Sequence, residues 1–189
     1  IGGMMNYEEY KDFYSSKKVY NGENLIVEGE TAVLKSDSVL TASSDRSSPL
    51  VSPVKTGKIL LNTIGGYSWK KANQYIKWKV NVPESGLYSI SFKYKQNQNV
   101  GQQSRRALYI NGEIPFDEAQ RLVLSRIWVN QGGNRVDGIG NEFAPKQAPT
   151  DKFYFDVVND ITDWTNDPYL FFLTAGEHTI EISKLYGEF

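Results

Sequence analysis

The residues best suited to chemistry in this chain are aromatic rings and planar polar groups set in loop-like stretches. Tyr67 and Trp69 follow Gly65-Gly66; Gln96, Asn97, Gln98 and Asn99 precede Gly101; Arg105 and Arg106 close that loop; and Trp128 with Asn130 and Gln131 opens the next. A ring that stacks on an apolar face, beside amides and guanidinium groups that bond hydroxyls, is what a sugar demands of its site. Tyr67, Trp69 and Trp128 are the stacking candidates, and Asn97 and Arg105 the polar ones. The structural alternatives are edge packing for Tyr67 and Trp69 and plain solvation for the arginines. Trp78 alternates with Val80 and reads as core.

Glu28 and Glu30 stand one residue apart in Val27-Glu28-Gly29-Glu30. On an extended strand both carboxylates share a face and reach one hard cation, for which calcium is the natural choice because it takes several oxygen ligands. The plain alternative is a pair of solvated acids on an edge strand. His178, the single histidine, sits in Ala175-Gly176-Glu177-His178-Thr179 and cannot build a catalytic triad or a paired metal site alone. It reads as a structural turn histidine. Asp117 with Glu118, or Asp160 with Asp163, supplies two carboxylates as a glycosidase would need, but their separation in space decides any such role. Asp137-Gly138-Ile139-Gly140-Asn141 is glycine-rich without the strand-to-helix setting of a nucleotide loop.

The elements that must position these groups are strands. From Gln74 to Gly112, Ile76, Trp78, Val80 and Val82 alternate with Tyr75, Lys77, Lys79 and Asn81. After the Pro83-Glu84-Ser85-Gly86 turn, Tyr88, Ile90, Phe92 and Tyr94 alternate in the same way. A period of two marks half-buried strands. Ala107-Leu108-Tyr109-Ile110 then runs into Asn111-Gly112, a pair suited to a type I′ hairpin. Further alternation at Phe153, Phe155 and Val157, at Tyr169, Phe171 and Leu173, and at Ile180 and Ile182 brings the tally to about eight short strands, as in a sandwich of two antiparallel sheets.

Around that frame, Asn6 to Ser16 carries Tyr7, Tyr10 and Phe13 or Tyr14 at helical spacing and predicts a short amphipathic helix or arm. Leu25 to Lys35 reads as one or two short strands, and Ser36 to Lys58 as a long surface loop. Leu122-Val123-Leu124 and Ile127-Trp128-Val129 suit strands, although Asp117 to Arg126 also tolerates a helix. Asn130 to Thr150, with four Gly and no periodicity, reads as an irregular loop. The organisation expected is an N-terminal helical arm over residues 1–20 and one sandwich domain over residues 21–189.

Composition narrows the function classes. The formal net charge of -1 favours neither nucleic acid nor an anionic membrane, and no run reaches the roughly 18 apolar residues of a membrane span. Ile1-Gly2-Gly3 lacks the regions of a signal peptide, as in a mature or excised fragment. The absence of cysteine removes disulfides, thiolate metal sites and a cysteine nucleophile together.

The run Tyr75 to Tyr88, the segment Arg106 to Gly112 and the closing Leu173 to Ile180 together resemble the β-jelly-roll carbohydrate-binding modules of the family 6 and family 35 type, of the galactose-binding-like group. Val27 to Glu30 is similar to their acidic opening strand. Ser47-Ser48-Pro49, Asn62 to Gly66, Trp69 and Asn111 to Phe116 more loosely resemble a carbohydrate-binding-like domain attached to extracellular solute-binding proteins of Gram-positive bacteria. The resemblance implies an all-β jelly-roll sandwich, noncatalytic binding of an oligo- or polysaccharide in a cleft of loops at one end, and a place beside other domains of one polypeptide outside a bacterial cell. It also implies a structural calcium on Glu28 and Glu30, with Glu188 as a candidate third acid. The rivals are a spacer or protein-interaction domain of a transport-associated protein, whose loop aromatics would be buried against the body, and a glycoside hydrolase or polysaccharide lyase, with two carboxylates facing across a groove.

Overall fold

The computed structural model describes residues 3–44, 61, 63–95, 104–124, 128–149, 153–159 and 167–184. Helix α1 (Tyr7–Phe13) is followed by a 3-10 turn (Gly29–Thr31) and three short strands, β1 (Leu34–Lys35), β2 (Ala42–Ser43) and β3 (Thr63–Ile64). A second 3-10 turn, Gly66–Ser68, leads to β4 (Tyr75–Val82), β5 (Gly86–Ser89), β6 (Ser91–Tyr94) and β7 (Ser104–Ile110). A third, Asp117–Arg121, precedes β8 (Leu122–Leu124). Then come β9 (Trp128–Gln131), β10 (Arg135–Val136), β11 (Glu142–Phe143), β12 (Lys146–Pro149), β13 (Tyr154–Val157), β14 (Leu170–Leu173) and β15 (Gly176–Lys184).

Alternation in β4 works as its sequence requires. Ile76 and Val82 are buried, Trp78 and Val80 are half-buried on the same face, and Lys79 and Asn81 are exposed on the other. β4 pairs antiparallel with β15 from Val82 opposite Gly176 to Tyr75 opposite Ser183. The other edge of β15 pairs with β7, from Ile110 opposite Ile180 to Arg106 opposite Lys184. With β1 and β8 outside them, the first layer is a five-stranded sheet in the order β1-β4-β15-β7-β8.

The second layer is built on β5 and β6. Leu87 exchanges backbone hydrogen bonds with Lys18 and Tyr20 of the N-terminal arm, so Gly86, Tyr88 and Ile90 turn to the opposite edge. There β14 pairs with β5, and β13 pairs with β6. The chain leaves that edge after β13, closes a neck where Tyr169 N–H donates to the Val158 carbonyl at 2.8 Å, and returns as β14. At Gly86 an added Cβ would lie 2.9 Å from the Lys18 carbonyl oxygen, so glycine is what allows the arm to approach.

Between the layers, Leu108 and Ile182 meet Val158, Tyr169, Phe171 and Phe116 in one core cluster. Val82, Tyr88 and Leu173 form a second. Nested antiparallel pairs, β4 with β15, β5 and β6 with β14 and β13, and β7 with β8, wrap the chain into the all-β sandwich expected of a jelly roll. The Asn111-Gly112 turn has φ of 53° and 83° at its two central residues, the type I′ geometry its sequence predicts.

The expected N-terminal helix is present and is part of the sandwich. Asn6 caps it, its side chain accepting from Glu9 N–H at 2.9 Å while the Glu9 carboxylate accepts from Asn6 N–H at 2.9 Å. Glu118 accepts the Tyr7 N–H at 2.9 Å, which ties the helix to the third 3-10 turn. Tyr10 is buried in the core, and its hydroxyl accepts the Phe172 N–H at 2.8 Å; the Tyr7 hydroxyl accepts the Leu170 N–H at 2.9 Å. Two tyrosines therefore satisfy the outer edge of β14.

Two expectations are corrected. Residues 130–150 are not an irregular loop through their described length: β9 pairs with β12, from Trp128 opposite Pro149 to Gln131 opposite Lys146, and β10 with β11, as one long hairpin. Its residues 130–136 and 138–144 are exposed, so no face is forced to be apolar and the period of two vanishes. Val27 to Glu30 is not a strand, because the Glu28 carbonyl accepts both the N–H and the hydroxyl of Thr31, at 3.0 and 2.6 Å, which closes a 3-10 turn. Trp78 fixes that turn through an indole N–H donated to the Gly29 carbonyl at 2.8 Å. Among the described residues no helix is long and apolar enough to cross a membrane.

Replacing Tyr10 with Phe leaves the Phe172 N–H without its acceptor in the core and should cost about 1–3 kcal/mol in urea unfolding. Burial pushes the Tyr10 hydroxyl up to about 12, partly opposed by the Phe172 N–H. Its contribution to stability is thus complete below about pH 10 and lost as pH rises toward 12. Spectroscopic tyrosinate titration beside unfolding curves should show this loss in the native sequence and not in Tyr10→Phe.

Candidate functional site

One end of the sandwich gathers most of the chemistry. β4 and β7 begin there, β8 and β15 finish there, and Lys184 stands opposite Arg106. Counting back by twos from the buried Leu108 turns Arg106 inward, and counting back from Ile76 does the same for Gln74. Gln74, Arg106 and Lys184 are all buried at this end. The Lys184 ammonium donates to the Lys70 carbonyl, and Arg106 donates to its neighbour's Arg105 carbonyl at 2.9 Å. Charges this deep need such partners, because desolvation of an ammonium or guanidinium costs several kcal/mol.

Trp69 closes the group. Its indole N–H donates to the Gln74 carbonyl at 3.2 Å, and the Arg106 guanidinium lies 5.0 Å from the ring centroid in a cation–π contact. Gly65, at φ 92°, makes room for the ring: an added Cβ would sit 3.1 Å from Trp69 Cε3. The Gln74 amide spans two loops, its oxygen accepting the Lys71 N–H at 2.8 Å and its nitrogen donating to Asp37 at 3.4 Å. The Val39 N–H holds the Asp37 carboxyl below the usual carboxylate range, despite some desolvation and with help from Gln74 and Lys71.

The residues expected to form a binding cleft are distributed as follows. Tyr67 lies in the 3-10 turn directly before Trp69, and Trp69 itself is half-buried against the core. Arg105 is exposed and alternates onto the outer face of β7, away from Trp69. Arg106 takes the place beside the indole. Trp128 opens the exposed hairpin, and Asn97 lies outside the described residues. Thus Tyr67 and Trp69 are near neighbours along the chain, Arg105 does not join Trp69, and Gln74, Arg106 and Lys184 enter the site. The parity of β7 and β4 was the signal that could have found Gln74 and Arg106.

The acidic pair occupies the Gly29–Thr31 turn, with Glu28 as its first flank. Glu30 is half-buried, and its Oε2 is buried without a hydrogen-bond partner. A carboxylate oxygen shielded from water and given no donor is the one observation here that bears on a hard cation. No group of three acidic or histidine side chains converges among the described residues. His178 takes the structural role expected, bonded to Thr174 and Asn111.

Fold and site together define an all-β sandwich with an aromatic and cationic cluster at one end. No protein-family model and no curated protein matches the chain. Among solved structures it is similar to a Paenibacillus sp. cycloisomaltooligosaccharide glucanotransferase complexed with cycloisomaltoheptaose, at 17% identity and TM-score 0.44 over 97% of this chain and 21% of that one. It is also similar to a Podospora anserina GH26-CBM35 β-(1,4)-mannanase, at 15% identity and TM-score 0.40 over 85% of this chain and 24% of that one. The chain thus spans less than a quarter of either protein.

Gly65→Ala should destabilise the protein by about 1–2 kcal/mol, since alanine is strained at positive φ and its methyl meets the indole. Gly66→Ala, with φ 48° and open space around it, should cost less. Urea unfolding of the two variants checks this order.

Proposed function

We propose that this chain is a noncatalytic carbohydrate-binding β-sandwich, part of a larger protein outside a bacterial cell, that holds an oligo- or polysaccharide at the end occupied by Trp69. The observation that supports this most is the joining of indole, guanidinium and amide in one cluster. Trp69 offers ring surface, Arg106 and Gln74 fix its orientation, and Tyr67 precedes it in the adjoining turn. A ring locked in this way loses little rotamer freedom when a sugar stacks on it. Covalently linked domains would act on the glycan held there, and this domain would supply proximity.

Calcium belongs to the same reading as a structural ion. Glu30 and Glu28 would hold it, and its charge would stiffen the turn on which Trp78 rests.

A second reading is a spacer or protein-interaction domain of a transport-associated protein. It is favoured by Trp69 itself, which is half-buried and satisfies its N–H internally.

Glycan-array screening followed by calorimetry decides between the two. The binding reading expects a ligand whose affinity falls at least about tenfold, roughly 1.4 kcal/mol, in Trp69→Ala with circular dichroism unchanged. An intact protein that binds no glycan favours the spacer. Calcium should raise the melting temperature of the native chain, and Glu30→Gln should abolish the rise.

A further inference from the structure

The opposite end of the sandwich carries a hydrogen-bond chain that only one protonation state can complete. The Asn111 side-chain oxygen accepts the Thr179 N–H at 2.9 Å, which fixes the amide's orientation. Its nitrogen, a donor only, therefore faces His178 Nδ1 at 2.8 Å, and that nitrogen must accept. The ring's one proton then sits on Nε2, where it is donated to the Thr174 carbonyl at 2.7 Å. Thr174 begins the turn whose next N–H, that of Ala175, is held by the Ser85 hydroxyl at 2.9 Å. Through one buried imidazole, the Asn111-Gly112 hairpin, β15, and the turns at 83–86 and 174–176 are fastened together.

Proton uptake at Nδ1 breaks this pattern, because two donors would face each other at 2.8 Å. Rotating the Asn111 amide would accept the new N–H but leave the Thr179 N–H opposite another donor. The ring's surroundings offer no compensating charge. Val80 is opposite on β4, Asn111 follows β7 and Thr174 follows β14. Glu177, next in sequence, points to the other face of the sheet and pairs with Lys79 at 2.9 Å, while Glu84 and Glu113 on the nearby turns are exposed. Tyr88, in the cluster against which Val80 packs, donates its hydroxyl proton to the Glu84 carbonyl. Among the described residues no carboxylate or ammonium is joined to the imidazole.

We propose that His178 and Asn111 form an acid-sensitive latch. One proton taken up from solvent at Nδ1 breaks the link from the Asn111 amide to the imidazole and loosens this end of the sandwich, whatever the other end binds, while the Asn111 N–H keeps its bond to the Thr179 carbonyl. Because a proton on Nδ1 would set two donors against each other at 2.8 Å, acidification is expected to weaken this end of the fold.

Since the 189 residues hold one histidine, its nitrogen resonances are read without assignment ambiguity. At neutral pH the ring is expected to be neutral with the proton on Nε2. On acidification the Asn111 side-chain amide and Thr179 N–H signals should move with the ring, Thr179 exchange should quicken, and the urea midpoint should fall. A proton on Nδ1 at neutral pH, or a ring that titrates while both signals and the midpoint stay fixed, overturns the proposal. His178→Gln should lose the acid dependence. Should that variant not fold, Asn111→Asp serves instead: a carboxylate facing Nδ1 accepts from the imidazolium, so acidification must no longer weaken the protein, and an unchanged acid loss sinks the idea.

Discussion

The structure depends on β15 lying between β4 and β7. This nine-residue strand bonds to one neighbour along nearly its whole length and to the other along its second half. Both neighbours were laid down far earlier in the chain, so the central pairing of the first sheet is non-local and its loop-closure cost comes before its reward. Every inward side chain of β15 is spent on one of three tasks. His178 serves one end, Ile180 and Ile182 serve the core, and Lys184 serves the other end. Loss of its register by one residue would move all of them to the wrong face together.

The two ends differ in kind. At the Trp69 end a cation–π contact and backbone carbonyls accommodate buried positive charge carried on strand ends. At the His178 end an amide and an imidazole bridge tight turns. The first arrangement sets ring surface and charge beside the loops that enter the sheet. The second suits geometry, because an amide and an imidazole fix two turns against the same strand.

What the sequence revealed follows from which forces act locally. The segment from Gln74 to Gly112 was legible because alternation and an Asn-Gly turn are decided within a few residues. The N-terminal helix was legible for the same reason, through its aromatic spacing. The acidic turn at Gly29–Thr31 was not, because an indole 49 residues away takes its carbonyl. The long hairpin was hidden because exposure on both faces removes the pattern by which strands are recognised. In the candidate site Trp69 was visible as a loop aromatic, whereas Arg106 was passed over for Arg105. Parity points Arg106 inward, but the general expectation that arginine seeks water pointed the other way.

The arrangement of Tyr7 and Tyr10 against β14 bears on self-association. A strand at the margin of a sheet offers a row of unsatisfied amides that can recruit a strand from another molecule. Here two phenol oxygens occupy the Leu170 and Phe172 amides from a helix, an element that cannot propagate pairing. The segment that resembles an appendage thus acts as a guard against fibre-like stacking, and a fragment trimmed to the strands alone would carry an adhesive margin that the intact chain keeps closed.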